Sequence, residues 1–445
     1  MPSQGTIGDR VRGLRLSRRM SQAQLAGPDL SDSYVSLIES GKRTPTPVVA
    51  RLLAERLGCT TEFLLHGIEP RQRIDTELGL RHAELELYHG DPALAADRFG
   101  DIVKAAGEDN ALLAAHARLG RARALEAQGK IGSAVEAYER LRREAAAHPE
   151  RLADIPLIVA LCRCYQRAGD TLRARDLGAG ALEHISELSV VHGDVAVDLA
   201  AALAEAEIGL PYVEEVLAST GVPVPADRTT EILSLWQASV TAAEGEDSAL
   251  AVRFADDALS AGRPARIAVR MARIAMRWAE ISVPLRGNDP ERVGDLVSRA
   301  TQVFSLVPAD AVDHARSLLV LAHLRLKSGD HAGAETFGRN ALDVLPDGST
   351  SVAASAHLVL AEAGLARSDS DQSLTLRRAG ALLATAPRNG ALRDREVARV
   401  WRELGDLWGR AGRRDEQTGA YRKALEAVGV RSTVAGAVTS AVVAR

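Results

Sequence analysis

Between Asp32 and Thr44 the chain sets short polar side chains beside two cations, a mixture suited to contact with a phosphate polymer. Ser33 and Ser36 carry hydroxyls that can donate to or accept from base edges, and Leu37 offers methyl surface to a thymine methyl. Asp32 and Tyr34 share the stretch, and the tyrosine is long enough to lie along a sugar–phosphate backbone. Lys42, Arg43 and Thr44 follow at once, where cations and a hydroxyl can clamp phosphates. Upstream, Ser21 and Gln22 open a second short polar segment whose first amides are candidates for phosphate contact.

Such contacts require a rod held clear of its neighbours, and the capping signals predict one. Ile7 to Arg19 places apolar residues every third or fourth position, the period of an amphipathic first helix. Ser21 stands as N-cap to the run Gln22–Ala26, and Gly27-Pro28-Asp29 breaks it, since proline has no amide to donate. Ser31 caps a third helix from Asp32 to about Ser40, stopped by Gly41. Thr46-Pro47 opens a fourth through Leu57, and Thr60 caps a short fifth. Val35 and Ile38, three apart, share one face and should pack on Leu25 and Ala26, which turns Asp32, Ser33, Tyr34, Ser36 and Leu37 outward.

These residues resemble the Xre-type, lambda-repressor-like helix-turn-helix family over roughly 7–65. The resemblance rests on Ile7-Gly8-Asp9-Arg10, Leu14-Arg15, Ser21-Gln22, Leu25-Ala26, Tyr34-Val35-Ser36, Ile38-Glu39 and Gly41-Lys42-Arg43-Thr44-Pro45. It implies a five-helix DNA-binding domain over 1–66, an ion pair between Arg15 and Glu39, and a homodimer on a two-fold related operator. The turn from Ala26 to Ser31 is one residue shorter than the family pattern, which bears on how Asp32 and Ser33 enter the groove. Residues 1–73 hold 11 Lys/Arg against 7 Asp/Glu although the whole chain carries −4, so the positive charge is concentrated where a duplex would lie.

The remainder reads as an all-α repeat array. Aromatics are only 3% and alanine, leucine and arginine dominate, a composition for helices packed through small side chains. Glycines at 90, 129, 169, 245, 329 and 412 end helices at intervals of 39, 40, 76, 84 and 83 residues, a unit of forty with alternate members degenerate. Seven residues before each stands a small side chain: Ala83, Ala122, Cys162, Ala238, Ala322 and Gly405. Five after come Ala95, Ala134, Ala174, Leu250, Ala334 and Gln417, and nine after Phe99, Tyr138, Gly178, Phe254, Gly338 and Tyr421.

This pattern resembles tetratricopeptide repeats, most clearly at Trp401, Leu404-Gly405, Trp408, Gly412, Tyr421 and Ala424. The resemblance implies a right-handed α-solenoid over 75–430 with eight or nine helix pairs and a concave groove for a peptide, another ligand or a protein partner. Residues 67–74 read as a linker and 431–445 as a tail, capping helix or dimer contact; Pro211, Pro223, Pro225 and Pro284 mark expected breaks. A helix-turn-helix followed by such repeats is similar to the RRNPP group of peptide-pheromone receptors, which grip peptide backbones with asparagines. Only Asn110, Asn288, Asn340 and Asn389 occur here, and their scattering gives no such clamp.

No phosphate loop, HExxH, GxSxG or paired CxxC occurs, so neither catalysis nor a cofactor is expected. Cys162 and Cys164 lie two apart on a helix and point in different directions, which disfavours a metal site, and the odd total of three cysteines argues for a reducing compartment. His82 and His89, like His314 and His323, read as solvated or packed histidines. Met1 to Arg10 has no apolar signal core and no run is long enough to span a bilayer, which predicts a cytoplasmic protein. Two functions stay open at this level: a DNA-binding regulator, or an interaction scaffold whose N-terminal domain does not act on DNA.

Overall fold

The computed structural model describes residues 6–66, 70–106, 110–187, 192–282, 290–307, 310–367, 372–386 and 391–429. The chain is all-α; among the described residues none is in a strand. It divides into two compact units, Met1–Ala153 with Arg228–Gly262, and Asp154–Asp227 with Arg263–Arg445.

The first unit opens with α1 (Ile7–Ser17), α2 (Gln22–Ala26), α3 (Asp32–Glu39), α4 (Pro47–Arg56) and α5 (Thr61–His66). Their core is Val11, Leu25, Ala26, Val35, Ile38, Leu53, Ala54, Leu57 and Leu64, so the α3 face carrying Val35 and Ile38 is the one turned onto α2. α1 stops short of the expected Arg19, which takes a left-handed φ of 56° in the turn to Ser21. Next come α6 (Pro70–His89), α7 (Pro92–Ala106), α8 (Ala111–Ala127) and α9 (Ile131–Ala147). α6 begins at Pro70, so 70–74, expected as linker, is helical: proline lacks the amide that a first helical position leaves unused anyway. Residues 67–69 lie outside the described residues.

Bulky rings fill the space that small residues leave between these helices. Phe99 of α7 is fully buried, and a Cβ on Gly120 of α8 would lie 2.4 Å from its ring. Gly120→Ala is therefore expected to cost about 1–3 kcal/mol through overpacking, read as a lower denaturation midpoint. A wild-type midpoint would mean that the Phe99 ring moves freely aside.

The unit is completed by α14 (Thr229–Glu244) and the start of α15 (Ser248–Ser282), which pack against α6 from far along the chain. Leu78 and Leu85 meet Ile232, Ala251, Ala255, Ala258 and Ala261 in one apolar cluster. Arg81 Nε donates to Asp256 Oδ1 at 2.6 Å. His82 is a packed histidine: its Nε2 lies 2.8 Å from Ser239 Oγ, which donates to the Ala251 carbonyl at 2.7 Å. Burial holds the His82 imidazole below its ordinary pKa, with Arg98 pushing the same way.

These contacts correct the repeat register in this copy. Gly245 has φ −78°, and the left-handed position falls on Glu246 at 62°. Counted from Glu246, the small residues are Ser239, Ala251 and Ala255, all fully buried, whereas Leu250 is exposed and Ala238 only half-buried. The Ser239–Ala251 bond matches the one that Cys162 Sγ makes to the Ala174 carbonyl at 3.0 Å, at equivalent positions of another copy.

The second unit contains α10 (Asp154–Ala168), α11 (Thr171–Glu187), α12 (Asp194–Ala206), α13 (Leu210–Thr220) and the rest of α15. It continues through α16 (Pro290–Ser305), α17 (Ala311–Lys327), α18 (His331–Val344), α19 (Thr350–Ala366), α20 (Gln372–Ala384), α21 (Ala391–Arg410) and α22 (Arg414–Ala427). α10 packs on α11, α11 on α12 and α12 on α13, each of α16 to α21 packs on its successor, and α10 meets α12, α17 meets α19 and α19 meets α21, which is the arrangement of stacked helix pairs. α15 runs unbroken through Pro264 for 35 residues. Pro211 starts α13 rather than breaking a helix, while Pro223 and Pro225 sit in the coil before α14. Cys162 and Cys164 are buried, and burial pushes the Cys162 thiol up to about 11. Pro284, Asn288, Asn389 and the tail 431–445 lie outside the described residues. Among the described residues no helix is long and apolar enough to cross a membrane.

Candidate nucleic-acid interface

Side-chain caps set where each short helix starts. Asp9 N donates to Thr6 Oγ1 at 3.3 Å while Thr6 N donates to Asp9 Oδ2 at 2.9 Å, a reciprocal box at the head of α1. Ser21 and Gln24 repeat it on α2 at 3.1 and 2.8 Å. Ser31 Oγ accepts from Tyr34 N at 3.2 Å, Thr46 Oγ1 from Val49 N at 3.4 Å and Thr60 Oγ1 from Phe63 N at 3.1 Å. The Ser21 hydroxyl is thus engaged within its own helix.

α3 is anchored at the C-terminal end of its buried face. Arg15 Nε donates to Glu39 Oε1 at 2.6 Å and Arg15 Nη2 to Glu39 Oε2 at 3.0 Å, a two-point pair with side chains 10% and 4% exposed. Arg15 Nη1 also donates to the Met20 carbonyl at 2.9 Å. Gln22 Nε2 reaches the same carboxylate, donating to Oε2 at 2.8 Å. Gln22, expected at a phosphate, therefore uses its amide nitrogen to hold the ion pair. Burial pushes the Glu39 carboxyl upward, but the hydrogen bonds from Arg15 and Gln22 and the charges of Arg15 and Arg12 outweigh it and leave the pKa below the ordinary value.

Close backbone approach completes the joint. A Cβ on Gly8 would lie 2.3 Å from the Ile38 carbonyl oxygen, so α1 touches the last turn of α3 where no side chain fits. From the same first turn of α1, Arg10 donates to the Leu64 and Leu65 carbonyls at 3.1 and 2.7 Å. Gly41, at φ 70°, ends α3: its amide donates to the Ile38 carbonyl and that of Lys42 to the Leu37 carbonyl, both at 3.0 Å. This left-handed closure turns Lys42, Arg43 and Thr44 off the helix axis.

The opposite face of α3 is open. Asp32, Ser33 and Ser36 are exposed, Leu37 is 38% exposed, and Lys42, Arg43 and Thr44 are exposed beyond it. Tyr34 is half-buried against the core, with the Arg43 guanidinium 5.0 Å from its ring centroid. Tyr34 thus doubles as a platform that steers Arg43, a cation–π arrangement absent from the sequence reading.

The short turn from Ala26 to Ser31 has its own fixture. Arg56 of α4 donates through Nη1 to the Leu25 carbonyl at 3.1 Å and to that of Ala26, and through Nη2 to Asp29. Gly27, at φ 55°, lies so close that a Cβ there would sit 2.7 Å from the guanidinium carbon. One charged group thus closes the carbonyl end of α2 and ties down the turn that aims α3. Arg56→Met is expected to cost about 1.5–3 kcal/mol by removing charge-assisted hydrogen bonds, and to weaken DNA binding while the α3 face stays intact. An unchanged melting curve would show that the turn holds without it.

A domain built this way is a helix-turn-helix of the Xre type, and residues 11–64 match the family model described as Helix-turn-helix. Similar solved structures include PlcR of Bacillus thuringiensis in complex with the peptide PapR7 and DNA (14% identity, 70% of this chain, 99% of that chain, TM-score 0.36). The apo form of RapI is similar at 13% identity over 95% of this chain and 97% of that chain, with TM-score 0.45. The APC/C hetero-tetramer Cut9-Hcn1 is similar at 14% identity over 98% and 90%, with TM-score 0.25. A comparison with curated protein sequences finds no match.

Proposed function

We propose that the chain is a sequence-specific transcription regulator. It acts as a homodimer on a double-stranded operator, and its helical-repeat region binds a peptide, another ligand or a partner protein that alters DNA affinity. The observation that carries this reading is the division of α3. Val35 and Ile38 are fully buried and Glu39 is pinned to Arg15, while Ser33, Ser36 and Leu37 face outward ahead of Lys42 and Arg43. A helix held by one face with short polar groups on the other fits the major groove, and the following cations suit its phosphate edges. We take the chain to be non-catalytic, its chemistry that of recognition.

The test is retention of sheared genomic DNA from the protein's own source, followed by sequencing. Discrete enriched intervals sharing a two-fold related motif are expected. Recovery of no DNA at any salt would leave the scaffold function in its place.

A further inference from the structure

One charged group on the open face of α3 takes no part in holding the domain together. Asp32, the first residue of α3, is exposed, and its carboxylate makes no hydrogen bond or ion pair among the described residues. Its neighbours are all engaged. Ser31 Oγ supplies the cap by accepting from the Tyr34 amide at 3.2 Å, and Asp29 is paired with Arg56. Glu39, the other carboxylate of α3, is buried against Arg15. The Ser40 hydroxyl donates to the Leu37 carbonyl at 3.1 Å, whereas the Ser33 and Ser36 hydroxyls have no partner among the described residues. The open face of α3 therefore offers one fixed charge, a negative one, and two free hydroxyls. No Arg, Lys, Asn or Gln stands between Asp32 and Ser40, so α3 has no side chain for a two-point grip on guanine or adenine.

A carboxylate in the major groove is repelled by the phosphates of both strands. Ionised, it can only accept hydrogen bonds, so it needs a base edge that donates. Guanine presents the acceptors N7 and O6 there, and thymine presents O4. Adenine offers its N6 amine but sets the N7 acceptor beside it. Cytosine presents its N4 amine alone. Three of the four bases thus place an acceptor against Asp32, and discrimination comes by rejection as much as by attraction. Leu37 lies five residues further along the same helix. That is roughly 7.5 Å at 1.5 Å per residue, or about two base-pair steps of 3.4 Å.

We propose that Asp32 is a specificity-determining residue that accepts from the N4 amine of a cytosine once in each operator half-site, about two base pairs from the thymine that meets Leu37. This assignment rests on the reading of α3 as the groove-facing helix.

The test selects binders from a random duplex pool with the full chain, as wild type, Asp32→Asn and Asp32→Ala. Asp32 bonds to no other side chain of the domain, so both variants are expected to fold. The wild-type motif is expected to hold a cytosine at one position of each half-site, and replacing that C·G pair to weaken binding roughly tenfold or more. Asp32→Asn is expected to move the preference there to adenine, because a carboxamide donates to N7 while accepting from N6. Asp32→Ala is expected to lose most discrimination at that position and to bind unrelated duplexes more tightly, since a charge of the phosphates' own sign is gone. A carboxylate that served only the helix dipole would lower the melting temperature of both variants and leave the motif unchanged. A wild-type motif that survives both substitutions unaltered overturns the role of Asp32 and leaves the regulator reading standing. No motif from the wild type sinks the regulator reading itself, and this assignment with it.

Discussion

Replacing Glu39 with alanine is expected to destabilise the helix-turn-helix domain by about 3–5 kcal/mol, because it strands a buried guanidinium. Arg15 would keep only the Met20 carbonyl among its present partners, and Gln22 would lose the acceptor of its amide nitrogen. Amide hydrogen exchange in the full chain checks this: protection in α1, α2 and α3 should fall by roughly two to three and a half orders of magnitude, given about 1.4 kcal/mol per factor of ten. Replacing both partners by methionine should cost much less, since no charge is then left unpaired. The sign of the pH dependence follows. Glu39 is held below its ordinary value of 4.5 in the folded domain, so its contribution is fully present above that value. It is lost as pH falls through the lower folded value. Exchange protection in α3 that rises on acidification, or is untouched by Glu39→Ala, would refute the anchoring role.

Operator affinity is expected to fall roughly a thousandfold or more between about 50 and 200 mM salt, the signature of six or more phosphate contacts across a dimer. Lys42 and Arg43 are exposed beyond α3, and Arg43 is held over the Tyr34 ring. Arg43→Ala should therefore weaken binding to all duplexes alike and lower the salt slope by about 1 for each phosphate left without its cation. Affinity titrations across the salt range measure both quantities. A slope unchanged by Arg43→Ala would place this cation away from the duplex.

The capping chemistry was legible because caps are local. Ser21, Ser31, Thr46 and Thr60 each bond an amide three residues on, so residue type and spacing fixed the starts of α2 to α5. The buried spine of α3 followed from the three-residue spacing of Val35 and Ile38. The Arg15–Glu39 pair came from family resemblance and spans 24 residues, beyond what spacing alone can give. Arg56, 30 positions from the carbonyl that it caps, left no local sign beyond a short turn and a nearby glycine. A glutamine at a helix start suits a phosphate contact, and the link from Gln22 to Glu39 depends instead on how α2 packs on α3, which spacing does not give.

In the repeats, the glycine ladder gave the right register where glycine takes the left-handed turn, as at Gly129, Gly169, Gly329 and Gly412. It slipped by one at Gly245 because Glu246 adopts that conformation instead. The signal that could have found this was Ser239, a small residue whose hydroxyl replaces the Cys162 thiol of another copy. The packing of α14 and α15 on α6 was not legible at all. It joins residues such as Arg81 and Asp256, which are 175 positions apart, and periodicity says nothing about which faces meet across such a distance.

The most direct test of the account compares the sequences enriched from a random duplex pool by the wild-type chain with those enriched by Ser33→Ala. The outward face of α3 predicts that the wild type selects a two-fold related motif and that Ser33→Ala relaxes preference at particular base positions while the rest of the motif survives. An identical motif from both proteins, or no motif from the wild type, would contradict the claim that this face reads DNA.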